Sequence, residues 1–215
     1  MRSPWFIIAA VAAVLAGAVV TRARFAPQPS AHVAPFRPSR HAAPPTDFAA
    51  LNAAAPRRVP ESLASVMLPG DRPAVVVFLK ADCGCSEEFA RMLTVLAPQL
   101  AARATCLAVI EARDGEAEAF VGATGLTVPR LIQSDGRLAA SWGVTKAGCV
   151  ALVRPDGMVE AIWPGISRQG FRELAGRLGD ADLFPGGSLA ILPGPATAGC
   201  PLLSASLLSP AGGSR

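Results

Sequence analysis

A short apolar run leads directly into two cysteines and an amphipathic segment, and this succession restricts the fold more than any other feature. Residues 74–79 read Ala-Val-Val-Val-Phe-Leu between a proline and a polar, glycine-containing turn, which is typical of a buried parallel strand. Residues 86–102 then carry apolar side chains at spacings of three and four, which predicts a helix. These apolar positions are Phe89, Met92, Leu93, Leu96 and Leu100. A buried strand that runs into a helix favours the α/β class.

The remaining pattern alternates strands and helices and ends with a hairpin and a helix. The predicted strands cover residues 105–110, 128–132, 149–153 and 158–163, and the predicted helices cover residues 116–123, 138–142 and 168–178. A tight turn, Pro155-Asp156-Gly157, separates the last two strands. We therefore expect one α/β domain over residues 60–180, with a mixed sheet and helices on both faces.

Two stretches carry a resemblance to a known family. The stretch from Phe78 to Ser86, with the helix after it, resembles the active-site strand, loop and helix of the thioredoxin-like superfamily. It is most similar to the redoxin/AhpC-TSA and membrane-tethered thiol-disulfide oxidoreductase group. Residues 142–157 resemble the Gly-Val loop, strand and Asp-Gly turn of that group. The resemblance implies a thioredoxin-like fold and thiol-disulfide exchange with a protein partner.

The motif departs from the family's pattern at its centre. The family's dithiol is Cys-x-x-Cys, but here Ser86 stands three residues after Cys83, and Cys85 comes one place early. Gly148 stands where the family has a cis-proline. The sequence therefore predicts an altered Cys-Gly-Cys-Ser active site.

Two related activities fit the motif less well. Thiol peroxidases carry a threonine where this chain has Lys80, and copper chaperones carry their second cysteine where it has Glu87. The two histidines, His32 and His41, precede the predicted domain, so histidine chemistry is not expected there.

Cys83 is the predicted nucleophile among five cysteines. The five are Cys83, Cys85, Cys106, Cys149 and Cys200. At a strand-to-helix junction, Cys83 faces the partial positive charge of a helix N-terminus, and Lys80 adds to it, while Asp82 opposes it. A thiolate at that position is the attacking species of disulfide exchange.

The resolving cysteine stays open between two positions. Cys85 is separated from Cys83 by one glycine and would close a strained, easily reduced ring, or it is simply a small residue in the first helical turn. The resemblance places Cys149 beside Cys83 across the active-site groove. Cys106 is predicted to be a buried strand residue, and Cys200 has no assigned role.

Two other functions compete with exchange. Thiols at Cys83, Cys85 and Cys149 suit the soft Cu(I) ion, so a copper-carrying protein is one alternative, and a redox-inactive binding module is the other. Thiol-disulfide exchange needs no cofactor, and its partners would be protein thiols or disulfides. The net charge is +4 with scattered arginines and no basic run, which argues against nucleic-acid binding.

The chain begins with an apolar segment and a proline-rich spacer. The run from Pro4 to Val20 holds no charged side chain, so residues 1–24 are predicted to be a signal anchor or a cleaved signal peptide. Residues 25–59 are rich in proline and alanine and are predicted to be an extended linker. We expect a membrane-anchored protein with its domain on the extracytoplasmic side.

The C-terminal residues 181–215 are rich in glycine and proline and are predicted to be an irregular tail. As an alternative, residues 202–208 fold back on the domain and bring Cys200 near another thiol. The sequence does not decide between the two.

Overall fold

The computed structural model describes residues 57–61, 64, 68, 70–197 and 199–203. The predicted N-terminal anchor and most of the linker lie outside these residues. Within them, no helix is both long enough and apolar enough to cross a bilayer.

The described residues form five strands, four α-helices and a short 3-10 helix. The strands are β1 (Ala74–Lys80), β2 (Thr105–Glu111), β3 (Arg130–Gln133), β4 (Val150–Val153) and β5 (Val159–Trp163). The helices are α1 (Gly84–Leu100), α2 (Glu116–Thr124), α3 (Arg137–Ser141) and α4 (Arg168–Arg177), followed by the 3-10 helix Ser188–Ile191. The predicted elements are confirmed in type and order, with bounds shifted by one to two residues.

The five strands make one mixed sheet in the order β3-β2-β1-β4-β5. β1 is central, with β2 parallel on one side and β4 antiparallel on the other. Val77, for example, lies between Ala108 and Val150 in the register. This mixed sheet, with helices packed on both faces, confirms the predicted α/β fold.

β1 is central because it is apolar on both faces. Its side chains alternate between two cores, as the pleat of a strand requires. Val75, Val77 and Leu79 pack with α1 and α4 in the first core. Val76 and Phe78 pack in the second core, where Phe78 meets Trp142 edge-on with ring centroids 5.6 Å apart. The cysteine loop therefore begins at the carboxyl end of a central strand that is buried on both faces.

The described part of the C-terminal tail packs against the domain. Leu183, Leu189 and Leu192 are buried in the first core, and Leu202 is buried in the second. These leucines are spaced neither as in a strand nor as in a helix. The sequence therefore predicted an irregular tail and did not decide whether the tail packs against the domain. The core therefore extends past residue 180.

Candidate active site

Cys83 lies at the junction between β1 and α1. It is the N-cap of α1 with an extended backbone, and its carbonyl oxygen accepts hydrogen bonds from the N–H groups of Ser86 and Glu87 at 2.9 and 3.1 Å. This places the thiol at the helix N-terminus, where a negative charge is favoured. The Cys83 residue is only 2% exposed.

The Cys83 sulfur contacts the sulfur of Cys200. The two Sγ atoms are 2.7 Å apart although 117 positions separate the residues in sequence, and both are thiols in the structure. Residues 199–203, the last part of the C-terminal tail that the structure describes, fold back on the domain and bring Cys200 to Cys83. This makes Cys200 the thiol in direct contact with the predicted nucleophile.

A short antiparallel ladder places Cys200 there. Residues 199–203, which we name the tail segment, run beside the loop of residues 145–147. The N–H of Gly199 donates to the Ala147 carbonyl at 2.8 Å, and the Ala147 N–H donates to the Cys200 carbonyl at 2.9 Å. The Leu202 N–H donates to the Thr145 carbonyl at 2.9 Å. Three backbone hydrogen bonds therefore fix the tail segment on both sides of the Cys200 side chain.

Two glycines permit this close approach. Gly148 has φ of +85°, and a Cβ there would lie 3.4 Å from the Phe89 ring. A Cβ on Gly199 would come within 3.0 Å of the Ala147 carbonyl oxygen. A side chain at Gly199 would therefore push the tail segment off the loop, whereas at Gly148 the positive φ itself disfavours a side chain.

Two charged side chains hold the other side of the tail segment. Lys80 Nζ donates to the Pro201 carbonyl at 3.3 Å, and it also pairs with the Asp82 carboxylate at 3.5 Å. Glu111 Oε2 accepts the Leu203 N–H at 2.8 Å. Lys80 and Glu111 are register partners at the ends of β1 and β2. The ends of the two central strands therefore contribute to the same site.

The pKa of the Cys83 thiol lies below its ordinary value. Burial raises this pKa, but hydrogen bonds from the Cys200 thiol and backbone and from the Ser86 backbone and hydroxyl outweigh it. The sequence assigned the activation to the helix end and Lys80, whereas the structure adds two specific donors, Cys200 and Ser86. Cys83 is therefore the better nucleophile of the contacting pair.

The pKa of Cys200 moves in the opposite direction, to about 11. Burial is the largest cause, followed by the hydrogen bond to Cys83 and the negative charge of that thiolate. The two pKa values move in opposite directions, so Cys83 is the member of the pair that ionises first and Cys200 is the one that stays a thiol.

The two predicted resolving cysteines occupy different surroundings. Cys85 is partly exposed in the first turn of α1, and it lines a narrow pocket with Phe89 and Gly199. Cys149 is buried in the second core, where burial raises its pKa to about 12. The structure brings Cys83 together with Cys200, and the roles predicted for Cys85 and Cys149 stay predictions.

Cys106, Trp142 and Trp163 are buried in the two cores. Cys106 is buried in β2, and burial raises its pKa to about 12. Trp142 and Trp163 lie in the second and first cores. The burial of Cys106 confirms its predicted position in the strand.

The copper alternative needs three thiols in one place. Across the part of the chain that the structure describes, no group of three or more His, Cys, Asp or Glu side chains is arranged to hold a metal ion. The three cysteines of that alternative include Cys149, which lies in the second core.

Sequence reasoning left one contributor to this site, Cys200, open and missed two others, Ser86 and Glu111. Cys200 lies in a segment without periodicity, and only its residue type marked it. Ser86 was noted as a replaced cysteine, although its hydroxyl bonds to Cys83 and accepts the Lys80 N–H at 3.0 Å. Glu111 is a charged residue at the end of an otherwise apolar strand, and this was the available signal.

We expect the reduced full-length protein to show a thiolate step below the ordinary cysteine pKa of about 8.5. The step is read as the difference in ultraviolet thiolate absorbance between the wild type and Cys83→Ser across a pH series. A lowered pKa populates the thiolate at lower pH, so Cys200→Ala should move the midpoint upward because it removes the strongest stabilising hydrogen bond. Cys106→Ala is the matched control and should leave the midpoint in place. An unchanged midpoint in Cys200→Ala would contradict this assignment.

No family model matches this sequence, and no curated protein matches it. Solved structures similar to the chain include a secreted disulfide oxidoreductase of Mycobacterium tuberculosis homologous to E. coli DsbE. That structure is 24% identical, with 51% of this chain and 81% of that chain covered and a TM-score of 0.42. MTB DsbF is 22% identical, with coverage of 53% and 84% and a TM-score of 0.46. A putative thiol:disulfide interchange protein DsbE of Chlorobium tepidum is 17% identical, with coverage of 60% and 94% and a TM-score of 0.46.

Proposed function

We propose that this protein exchanges disulfides with protein partners, with Cys83 as the nucleophile and Cys200 as the resolving thiol. The observation that carries the proposal is the 2.7 Å contact between the two sulfur atoms at the N-terminus of α1. A lowered pKa on one thiol and a raised pKa on the other give the pair distinct roles.

The reaction proceeds in two exchanges. The Cys83 thiolate attacks one sulfur of a partner disulfide, the partner's S–S bond breaks, and its second sulfur leaves as a thiolate. Cys200 then loses its proton and attacks the Cys83 sulfur of the mixed disulfide, which releases the first partner sulfur. The products are a Cys83–Cys200 disulfide and a reduced partner dithiol, so two electrons pass from the protein to the partner. The reverse sequence oxidises a partner dithiol.

The electrostatics favour this order of steps. The negative charge of Cys83 helps to raise the pKa of Cys200. Formation of the mixed disulfide removes that charge, so the pKa of Cys200 falls when its thiolate is needed. Cys200 is therefore held as a thiol before the first exchange and activated after it.

Cys85 and Cys149 are the other candidates for the resolving role. Cys85 lies close enough to contribute to the raised pKa of Cys200, which supports Cys85 as the nearer of the two. Cys149 would have to leave the second core to react, since it is only 4% exposed.

Access to Cys83 requires movement of the tail segment. The nucleophile is almost fully buried beneath its contact with Cys200. Since the tail segment is held by hydrogen bonds rather than by a covalent bond, a partner enters by displacing it. The segment then returns to complete the second exchange.

The predicted N-terminal segment extends the proposal to location. We assign residues 1–24 as a signal anchor or signal peptide and residues 25–59 as a spacer, with the domain outside the cytoplasm. Disulfide chemistry is favoured in oxidising, extracytoplasmic compartments. This placement is supported by the sequence alone.

The test is a redox titration of the full-length protein in glutathione buffers, with acid quenching, alkylation and peptide mass mapping. We expect a Cys83–Cys200 disulfide that forms and disappears reversibly at one defined potential. A Cys83–Cys85 or Cys83–Cys149 disulfide in its place would reassign the resolving residue. A Cys83 thiol that survives the entire series would overturn the proposed function.

A further inference from the structure

Glu111 is a buried carboxylate with an unusual placement. It ends β2, in which the other residues are apolar apart from the first, and it is 4% exposed. Its Oε2 atom accepts the Leu203 N–H, whereas Oε1 is buried and has no hydrogen-bond partner among the described residues. Burying a carboxylate in this way costs free energy.

The contact that Glu111 makes is with the tail segment. Leu203 follows Cys200 by three residues, and among the described residues its N–H makes the hydrogen bond of the tail segment that lies nearest the C-terminus. The loop of residues 145–147 holds the segment from one side, and the ends of β1 and β2 hold it from the other. A hydrogen bond to a charged acceptor is stronger than one between neutral groups.

We infer that Glu111 is a positioning residue that holds Cys200 against Cys83 through the backbone of Leu203. The inference rests on the proposed function, in which Cys200 resolves the mixed disulfide. Lys80, the register partner of Glu111, supports the same segment through the Pro201 carbonyl. Glu111 is also joined to the active-site loop, because its own carbonyl accepts the Ala81 N–H at 2.9 Å.

The quantity that Glu111 controls is the effective concentration of Cys200 at Cys83. A tail segment released at Leu203 samples more positions, so fewer of them bring the two sulfur atoms together. Loss of one charge-assisted hydrogen bond corresponds to roughly a tenfold change in such an equilibrium.

The experiment compares Glu111→Met with Glu111→Gln in the full-length protein. Methionine keeps the length of the side chain without a strong acceptor, while glutamine keeps an acceptor oxygen. In glutathione buffers, we expect the equilibrium constant for the Cys83–Cys200 disulfide to fall about tenfold in Glu111→Met. Glu111→Gln should stay within about threefold of the wild type. Glu118→Met, a change of the same kind at an exposed position of α2, should have no effect.

A second variant removes the same hydrogen bond from the other side. Leu203→Pro deletes the N–H donor at a residue whose own side chain is exposed, so it should lower the equilibrium constant, and Glu111→Met should add little to it in the double variant. Thermal unfolding of each variant checks the fold, and Leu203→Pro tests the inference if Glu111→Met does not fold.

The outcomes separate this inference from the proposed function. If Cys83 stays a thiol across the whole series in the wild type, the proposed function fails. If the wild type joins Cys83 to Cys85 or Cys149 instead of Cys200, disulfide exchange stands and the inference about Glu111 fails. If the wild type forms the Cys83–Cys200 disulfide and Glu111→Met has the same equilibrium constant, the inference fails while the proposed function stands. Fully additive effects of Glu111→Met and Leu203→Pro would also overturn the inference.

Discussion

Replacing Cys83 with serine is expected to reduce thiol-disulfide exchange on the order of a thousandfold or more. The serine hydroxyl does not ionise near neutral pH, so the lowered pKa of the Cys83 thiol is lost with the sulfur. The measurement is reduction of a disulfide-bonded protein substrate by the full-length protein, supplied with a thiol reductant. Serine is nearly the same size as cysteine and can still accept at the helix N-terminus, so the unfolding temperature should change little.

Cys106→Ala is the control for this result. Cys106 lies in the first core away from the helix N-terminus, so its removal should affect stability more than exchange. Exchange that persists at the wild-type rate in Cys83→Ser would exclude Cys83 as the nucleophile. Exchange that persists in Cys83→Ser and disappears in Cys85→Ser would assign the nucleophile to the neighbouring thiol.

The fold was predictable because its elements carry local signals. β1 is an uninterrupted apolar run that is buried on both faces, and α1 has apolar residues at helical spacing. Such patterns depend on residues that are close together in sequence. A strand or a helix can therefore be predicted from its own residues. The turn between β4 and β5 was predictable in the same way, because Pro155-Asp156-Gly157 marks it in the sequence.

Only the part of the site at the junction of β1 and α1 was predictable from local sequence patterns. Cys83 follows from the junction of β1 and α1, but Cys200 reaches it through a tail segment without periodicity. The hydrogen bonds that place Cys200 are made by backbone groups of residues 145–147. These groups do not depend on which side chains the loop carries, so the residue types there do not reveal the bonds. Contacts of this kind depend on the folded path of two distant loops, and a sequence pattern does not record them. The only sign of these contacts in the sequence is a pair of glycines, Gly148 and Gly199, at the positions where the two segments approach each other.

Glu111 shows a further limit of sequence reasoning. At the end of a buried strand, a charged residue is ordinarily interpreted as the point where the strand meets solvent. Here the tail segment covers that point, so the carboxylate is buried and its pKa is raised, chiefly by burial. Only the position of the tail segment distinguishes the two situations.

Replacing Cys200 with serine is expected to trap the protein in a mixed disulfide with its partner. Cys83 keeps its own sulfur and a hydroxyl neighbour able to donate a hydrogen bond, so the first exchange still occurs. The second exchange loses its intramolecular thiol, and resolution then depends on thiols from solution. Because an intramolecular thiol acts at millimolar or higher effective concentration, we expect turnover to fall about a hundredfold or more.

The trapped species distinguishes the possible resolving residues. Non-reducing electrophoresis and peptide mass mapping should show a Cys83–partner disulfide that accumulates in Cys200→Ser, in neither Cys85→Ser nor Cys149→Ser, and in no variant that lacks Cys83. Accumulation in Cys85→Ser with normal turnover in Cys200→Ser would transfer the resolving role to Cys85. Accumulation in Cys149→Ser alone would require the second core to open during the reaction, because Cys149 is buried with a pKa of about 12. The contact between Cys83 and Cys200 needs no such opening, so the Cys200→Ser variant is the one in which the trap should form.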